Sequence, residues 1–313
     1  MRTRLDSPTV VGVDGSPDGE RAVRYALHRA ETSGGGLLLV NAVHEVVPLA
    51  PMWPLLTDHS LLDSGRGALT DARTLVERLS GVSVPVEVRA EIGPIVPVLV
   101  EASAHARLVV LGHRGAGTVE RVFTGATTIG VAARASCPVV SVPRGWDGHL
   151  PRRQVVAAVD GSEISRPVLA HAFALADQTS ATVEVVHLWE LEPTYSALFP
   201  DATMAREWRA RTSATIQAYV DEWTTLYPGV ATKTTLEYAD VTRSLIARSA
   251  AADVVLLGRH GAGGLGGRML MSFPGSTARA LVQHAHCPVE LVPLPTAGGS
   301  ATSTTAATHE LSH

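Results

Sequence analysis

Two glycine-spaced loops hold the residues with the clearest chemical potential. In the first, Gly112-x2-Gly115-x9-Gly125 is followed by Ala126-Thr127-Thr128. In the second, Gly258-x2-Gly261 is followed, after thirteen intervening residues, by Gly275-Ser276-Thr277. Glycine lets a backbone approach phosphate oxygens and adopt positive φ. At a helix start it exposes unpaired N–H groups and the positive end of the helix dipole to an anion. The chemistry is therefore a grip on phosphate by main-chain amides and hydroxyls, with Arg114 or Arg121 as cationic helpers. Lysine is not the gripping residue. Lys233 is the single lysine and directly follows Thr232 rather than a glycine, which excludes a Walker loop and disfavours Schiff-base chemistry. A plain strand-to-helix turn is the purely structural alternative, and the recurrence of the motif at matching places argues against it.

Far upstream of each loop an aspartate, Asp14 or Asp160, ends an apolar run and precedes Gly-Ser. Such a carboxylate can accept hydrogen bonds from an adenine or a ribose. An Asx turn or N-cap opening the next helix is the structural alternative. His113, His260, His284 and His286 do not form a metal set, because the nearest pair, at i and i+2, points apart on a helix. Cys137 and Cys287 both precede Pro-Val and read as buried, reduced thiols. Gly-x-Ser-x-Gly is absent, which disfavours an α/β-hydrolase, and no nucleophile–base pair stands out, so no dedicated catalytic chemistry is expected.

Those loops need a scaffold, and the chain repeats itself to supply two. Val-Asp-Gly-Ser at 13–16 recurs at 159–162, the strand-and-loop of Leu108–Gly117 recurs at Val254–Gly263, and Cys-Pro-Val at 137–139 recurs at 287–289. The offset is 146 residues from Asp14 to Asp160 and 150 from Cys137 to Cys287, so the second copy gains four residues after its glycine loop. Met271-Ser272-Phe273-Pro274 looks like the insertion. A unit this long is a duplicated domain rather than a solenoid repeat. The division predicted is 1–145 and 152–294, with 295–313 as a disordered tail.

Each copy alternates short apolar runs, which fit strands buried on both faces, with helical spacing. The first copy predicts strands over 9–14, 37–43, 82–88, 107–112 and 138–142, and helices from Pro17, over 59–80, 94–105 and 125–136. The second predicts strands over 154–160, 182–189, 231–237, 253–258 and 289–293, and helices over 164–179, 201–227, 241–251 and 275–286. The fold class is thus α/β, with two similar open parallel five-stranded doubly wound, Rossmann-like domains.

Composition narrows the function. The formal charge is −4 with pI near 6.3 and mean hydropathy +0.16, without the concentrated basic surface of a nucleic-acid binder. The apolar runs are far short of the roughly 20 residues that cross a bilayer, and Met1–Pro8 lacks a signal peptide's apolar core. A cytoplasmic protein without membrane or nucleic-acid partners is expected.

Taken together, Val-Asp-Gly-Ser, the glycine loops and Cys-Pro-Val resemble the universal stress protein family in its tandem two-domain form, over roughly residues 8–144 and 153–294. That family has an open five-stranded α/β fold, and many members bind ATP through G-x2-G-x9-G-[ST]. The resemblance implies adenine-side contacts at Asp14 and Ala42, with Asp160 and Leu188 as counterparts. It implies ribose and phosphate contacts at Leu111, Gly112, Gly115 and Gly125, with Ala126 and Thr127 following. In the second copy these are Leu257, Gly258, Gly261, Gly275, Ser276 and Thr277. Both copies depart from the pattern. Ala126 removes a hydroxyl whose bond to phosphate is worth about 1.5–3 kcal/mol, and the second copy's longer spacing displaces its third glycine by about one helical turn.

The expected function is that of an adenine-nucleotide-binding stress-response protein without enzymatic activity. Its cofactor is ATP, with Mg2+ entering only through the phosphates. A slow ATPase or phosphotransferase and a nucleotide-free scaffold stay open. In the family the final strand often pairs two domains. Val139–Val142 and Val289–Val292 are therefore expected to join the halves as an internal pseudo-dimer, and a homodimer of the whole chain stays open.

Overall fold

The computed structural model describes residues 7–43, 58–113, 125–148, 152–189, 202–259 and 274–294. The first half contains β1 (Thr9–Gly12), α1 (Pro17–Ser33), β2 (Leu37–Val43), α2 (Asp58–Leu79), β3 (Val86–Ile92), α3 (Ile95–Ser103), β4 (Leu108–Gly112), α4 (Ala126–Ala132) and β5 (Val139–Val142). The second contains β6 (Gln154–Ala158), α5 (Ser165–Thr179), β7 (Thr182–Trp189), α6 (Ala202–Leu226), β8 (Thr232–Tyr238), α7 (Val241–Ser249), β9 (Val254–Gly258), α8 (Ser276–His284) and β10 (Val289–Val292).

The strands form one ten-stranded sheet in the order β3-β2-β1-β4-β5-β10-β9-β6-β7-β8. Every pairing within a half is parallel, and β5 meets β10 antiparallel, with Val289 opposite Ser141 and Leu291 opposite Val139. The two halves are thus similar Rossmann-like α/β domains joined through their last strands, as the sequence predicts. That joint also removes two exposed strand edges. The strand order reverses direction between β1 and β4 and again between β6 and β9, which creates the crevices where open α/β sheets take ligands.

Local chemistry explains the element ends. Ser16 caps α1 by accepting from the Gly19 amide at 3.1 Å, Pro17 fills the first helical position, and Gly34 closes the helix at φ +67°. Ala22, Ala26 and Ala30, which carry the helical spacing, are wholly buried. The third strand lies further along than the sequence suggests. Val82 is 61 % exposed in the preceding turn, and pairing with β2 starts at Val86. This strand alternates Glu87, Arg89 and Glu91 with apolar residues, as an edge strand does. The last helices are also shorter than expected, because α4 ends at Ala132 and α8 at His284.

Three cores form on this frame. On one face α1 and α2 cover the first half and α5 and α6 the second, each with its own core. In the second of these, Trp223 stacks on Phe173 at a ring distance of 6.3 Å and Tyr227 packs tilted against it at 6.1 Å. Trp146, just beyond β5, packs edge-on against Tyr25 at 5.6 Å. On the other face α3, α4, α7 and α8 share a single core that runs across the seam, including Val131, Ala132, Leu281 and Val282. Cys137 and Cys287 lie in that shared core, where burial pushes both thiols up to about 12, so they behave as small apolar side chains.

The lone lysine is absorbed structurally. Lys233 reaches the buried Glu184 at 3.2 Å, where Thr235, Gln154 and Arg248 also donate. Among the described residues, no helix is long and apolar enough to cross a membrane.

Candidate functional site

In the second half, the carboxyl ends of β6, β7 and β9 and the start of α8 enclose a cavity of about 240 Å³. Seven residues singled out from the sequence line it: Asp160, Leu188, Leu257, Gly258, Gly275, Ser276 and Thr277. Gly261 lies outside the described residues. Their convergence follows from topology, since strand ends and the first turn of the last helix meet at the switch point.

The cavity has an apolar side and a polar side. Val186, Leu188, Ile164, Val241 and Leu245 supply the apolar walls. Asp160 stands at the rim, and its Oδ1 accepts from the Ser162 amide at 3.0 Å and from the Ser162 and Ser165 hydroxyls. The Asx turn and the cavity-lining position therefore coexist in one residue. At the opposite side Gly275 caps α8 in an extended conformation and provides no side-chain cap. The first amides of α8 beyond it are the ready anion donors of a helix start. The Ser276 and Thr277 hydroxyls stand beside them.

Sequence reasoning missed Arg259, which lines the same cavity. Its Nη1 donates to the carbonyls of Ala132, at 3.1 Å, and Ala135, at 3.0 Å, in the first half. Burial lowers the pKa of its guanidinium. The one available signal is that Arg259 stands where the first half has His113, directly after the strand-end glycine. Ile164, Val241 and Leu245 were missed too, because they look like ordinary helix-face residues until the helices are placed.

The first half arranges its corresponding residues differently. Asp14 accepts at Oδ1 from the Ser16 amide at 3.0 Å and the Ser16 hydroxyl at 2.6 Å. Ala42 is half-buried at the end of β2, and Leu111 is buried in the shared core. Gly125 caps α4 at φ +85°, as the sequence places it, but without a side-chain bond. Ala126 is exposed and Thr127 half-buried. Gly115, Arg114 and Arg121 lie outside the described residues, as do the start of the insertion at 271–273 and the tail.

The difference originates in how the first helix of each half opens. By the repeat, α5 begins two residues later than α1, because Ser165 turns its hydroxyl back to the Asp160 and Gly161 amides. The earlier start of α1 lays its first turn on β4. A Cβ on Gly112 would stand 2.3 Å from the Asp18 carbonyl oxygen. The buried Asp18 side chain, ion-paired with Arg21, occupies the position that Ile164 holds in the second half. Gly112 is therefore demanded by packing. Gly112→Ala is expected to lower unfolding stability by about 1–3 kcal/mol through overpacking. Urea melts measure this, and a variant as stable as the parent would show that the close contact is not needed.

The universal stress protein family profile matches residues 8–143 and again 151–293. The chain belongs to the universal stress protein family. A universal stress protein of Mycobacterium tuberculosis is 32 % identical over 297 residues, covering 90 % of this chain and 94 % of its own. Another, from Mycolicibacterium smegmatis, is 29 % identical over 291 residues, covering 90 % and 96 %. Among solved structures, a universal stress protein from Archaeoglobus fulgidus superposes with TM-score 0.61 at 17 % identity, covering 91 % of this chain and 98 % of its own, which shows a common fold. This universal stress protein therefore has the tandem two-domain form and shares the family's general role in the stress response.

Proposed function

We propose that this universal stress protein binds an adenine nucleotide, ATP above all, in the second-half cavity, and holds it without catalysing its breakdown. The observation that carries the reading is the convergence in one cavity of an apolar slot, a carboxylate, two hydroxyls, an uncapped helix start and an arginine. An aromatic base suits the slot beside Leu188 and Val186, with Asp160 able to accept from its amine or from ribose hydroxyls. The phosphates suit the α8 amides, Ser276, Thr277 and Arg259, with Mg2+ held by the phosphates themselves. Asp160 is already engaged in its Asx turn and Arg259 on the α4 carbonyls, which favours holding a ligand over moving a proton.

The first half is the weaker site. It lacks the hydroxyl at Ala126 and carries His113 in place of Arg259. It also has the buried carboxylate of Asp18 where the second half has Ile164. Calorimetric titration with ATP, followed by chromatography of the nucleotide, is expected to show one tight site per chain and ATP intact after an hour. Two equal sites would contradict the asymmetry. Steady release of ADP would favour a slow ATPase, and no heat of binding would favour a scaffold.

A further inference from the structure

We infer that Arg259 is a strut that reports occupancy of the second-half cavity to helix α4 of the first half; the inference rests on the reading of that cavity as a nucleotide site. Four bonds fix its position. Its amide donates to the Val292 carbonyl at 3.0 Å, which ties it to β10. Its own carbonyl accepts from the Gly275 amide at 3.0 Å, which ties it to the start of α8. Its side chain crosses the seam and donates from Nη1 to Ala132 and Ala135. One residue thus touches the cavity, the anion-binding helix of its own half and the last turn of the other half's equivalent helix.

The energetics make this contact switchable. The Ala132 and Ala135 carbonyls lie past the last backbone bond of this turn, from the Ala135 amide to Val131, at the negative end of the α4 dipole, so a guanidinium is a good cap for them. They are nonetheless neutral acceptors. A phosphate at the α8 start offers the same guanidinium a full opposite charge and a bidentate geometry that a neutral carbonyl does not. Arg259 Nε is buried and has no partner among the described residues, so a donor is in reserve inside the protein. Phosphate arriving beside Gly275 and Ser276 draws the guanidinium towards the cavity and loosens its hold on α4. The α4 helix is in turn sensitive. It spans only Ala126–Ala132, and a Cβ on its cap residue Gly125 would touch Val282 of α8 at 3.0 Å. His113 occupies the matching place in the first half, so the link runs from the second half to the first.

Hydrogen exchange of the full chain tests the strut, with ATP and adenosine as probes. In the ligand-free protein, Arg259→Gln is expected to speed exchange of the amides of residues 129–136 by about fivefold or more, since capping and coupling terms are of that order. In the parent, saturating ATP is expected to speed the same amides, adenosine to leave them unchanged, and ATP to add nothing further in Arg259→Gln. Calorimetry is expected to show an affinity for ATP about tenfold lower in that variant, with affinity for adenosine within about twofold. Arg259→Lys, which keeps the charge but not the fork, is expected to recover part of the ATP affinity and none of the α4 protection. ATP that binds the parent without altering exchange in 129–136 overturns the strut and leaves the site standing. ATP that fails to bind at all overturns the reading of the cavity and the strut with it.

Discussion

Glu290→Ala is expected to destabilise the protein by about 3–5 kcal/mol, the cost of stranding a buried charge. Glu290 projects from β10 at the seam with no exposed surface. Its Oε2 pairs with Arg29 Nη1 of α1 at 2.9 Å, and its Oε1 lies 3.3 Å from His171 Nδ1 of α5. Arg29 also donates to the Tyr25 hydroxyl at 3.0 Å, and burial pushes that phenol up to about 12. Among the described residues the cluster exists once. The internal repeat puts Val140 where Glu290 stands and Leu175 where Arg29 stands, so an ion pair between unlike halves breaks the symmetry. Removing either partner leaves the other charged in a dry seam. Replacing both by their repeat counterparts, Arg29→Leu with Glu290→Val, removes both desolvation penalties and is expected to cost less than either single change.

Acid sensitivity follows from the same group. Burial drives the Glu290 carboxyl up, but Arg29 and then His171 outweigh it and hold it at about 2, below its ordinary 4.5. A carboxyl depressed in the folded state stabilises the fold above its unfolded value, and that contribution disappears as pH falls from about 4.5 towards 2. Urea melts over that window measure both effects. A Glu290→Ala variant within about 0.5 kcal/mol of the parent, the scatter of inert surface changes, would show that the cluster does not hold the halves together.

Ser276→Asp is expected to abolish ATP binding while sparing the fold. Ser276 is the first residue of α8 and is exposed at the cavity. A carboxylate there suits the helix dipole and adds about 0.3–1 kcal/mol to the helix. Towards a phosphate about 4 Å away it is repulsive, by about 4 kcal/mol for unit charges near a protein surface. A loss of at least about 100-fold in affinity, or roughly 2.7 kcal/mol, is therefore expected with an unchanged or raised melting temperature. The matched change Ala126→Asp, at the start of α4, is expected to leave the tight site intact. If the two variants exchange their effects, the nucleotide sits in the other half.

Much of the fold was legible because parallel strands buried on both faces leave continuous apolar runs. Leu37–Val43 and Thr182–Trp189 fall where those runs predict. The family resemblance, rather than the repeat, identified which strands meet at the seam. The edge strand was misplaced because Val86–Ile92 is half charged, and the apolar residues before it belong to a turn. The candidate site was legible where it depends on strand ends and on the first turn of α8. It was not legible where partners are remote. Arg259 reaches a carbonyl 127 residues away, and Arg29 meets Glu290 across 261 residues. The two Val-Asp-Gly-Ser copies also read alike, although α1 opens at Pro17 and α5 at Ser165, two residues apart by the repeat.

The most direct measurement is a crystal structure of the full chain grown with excess ATP and Mg2+. The expected density is a base between Leu188 and Val186 and a phosphate chain over Gly275, Ser276 and Thr277. A second-half cavity left without nucleotide, or filled by protein atoms from 260–273, would contradict the account.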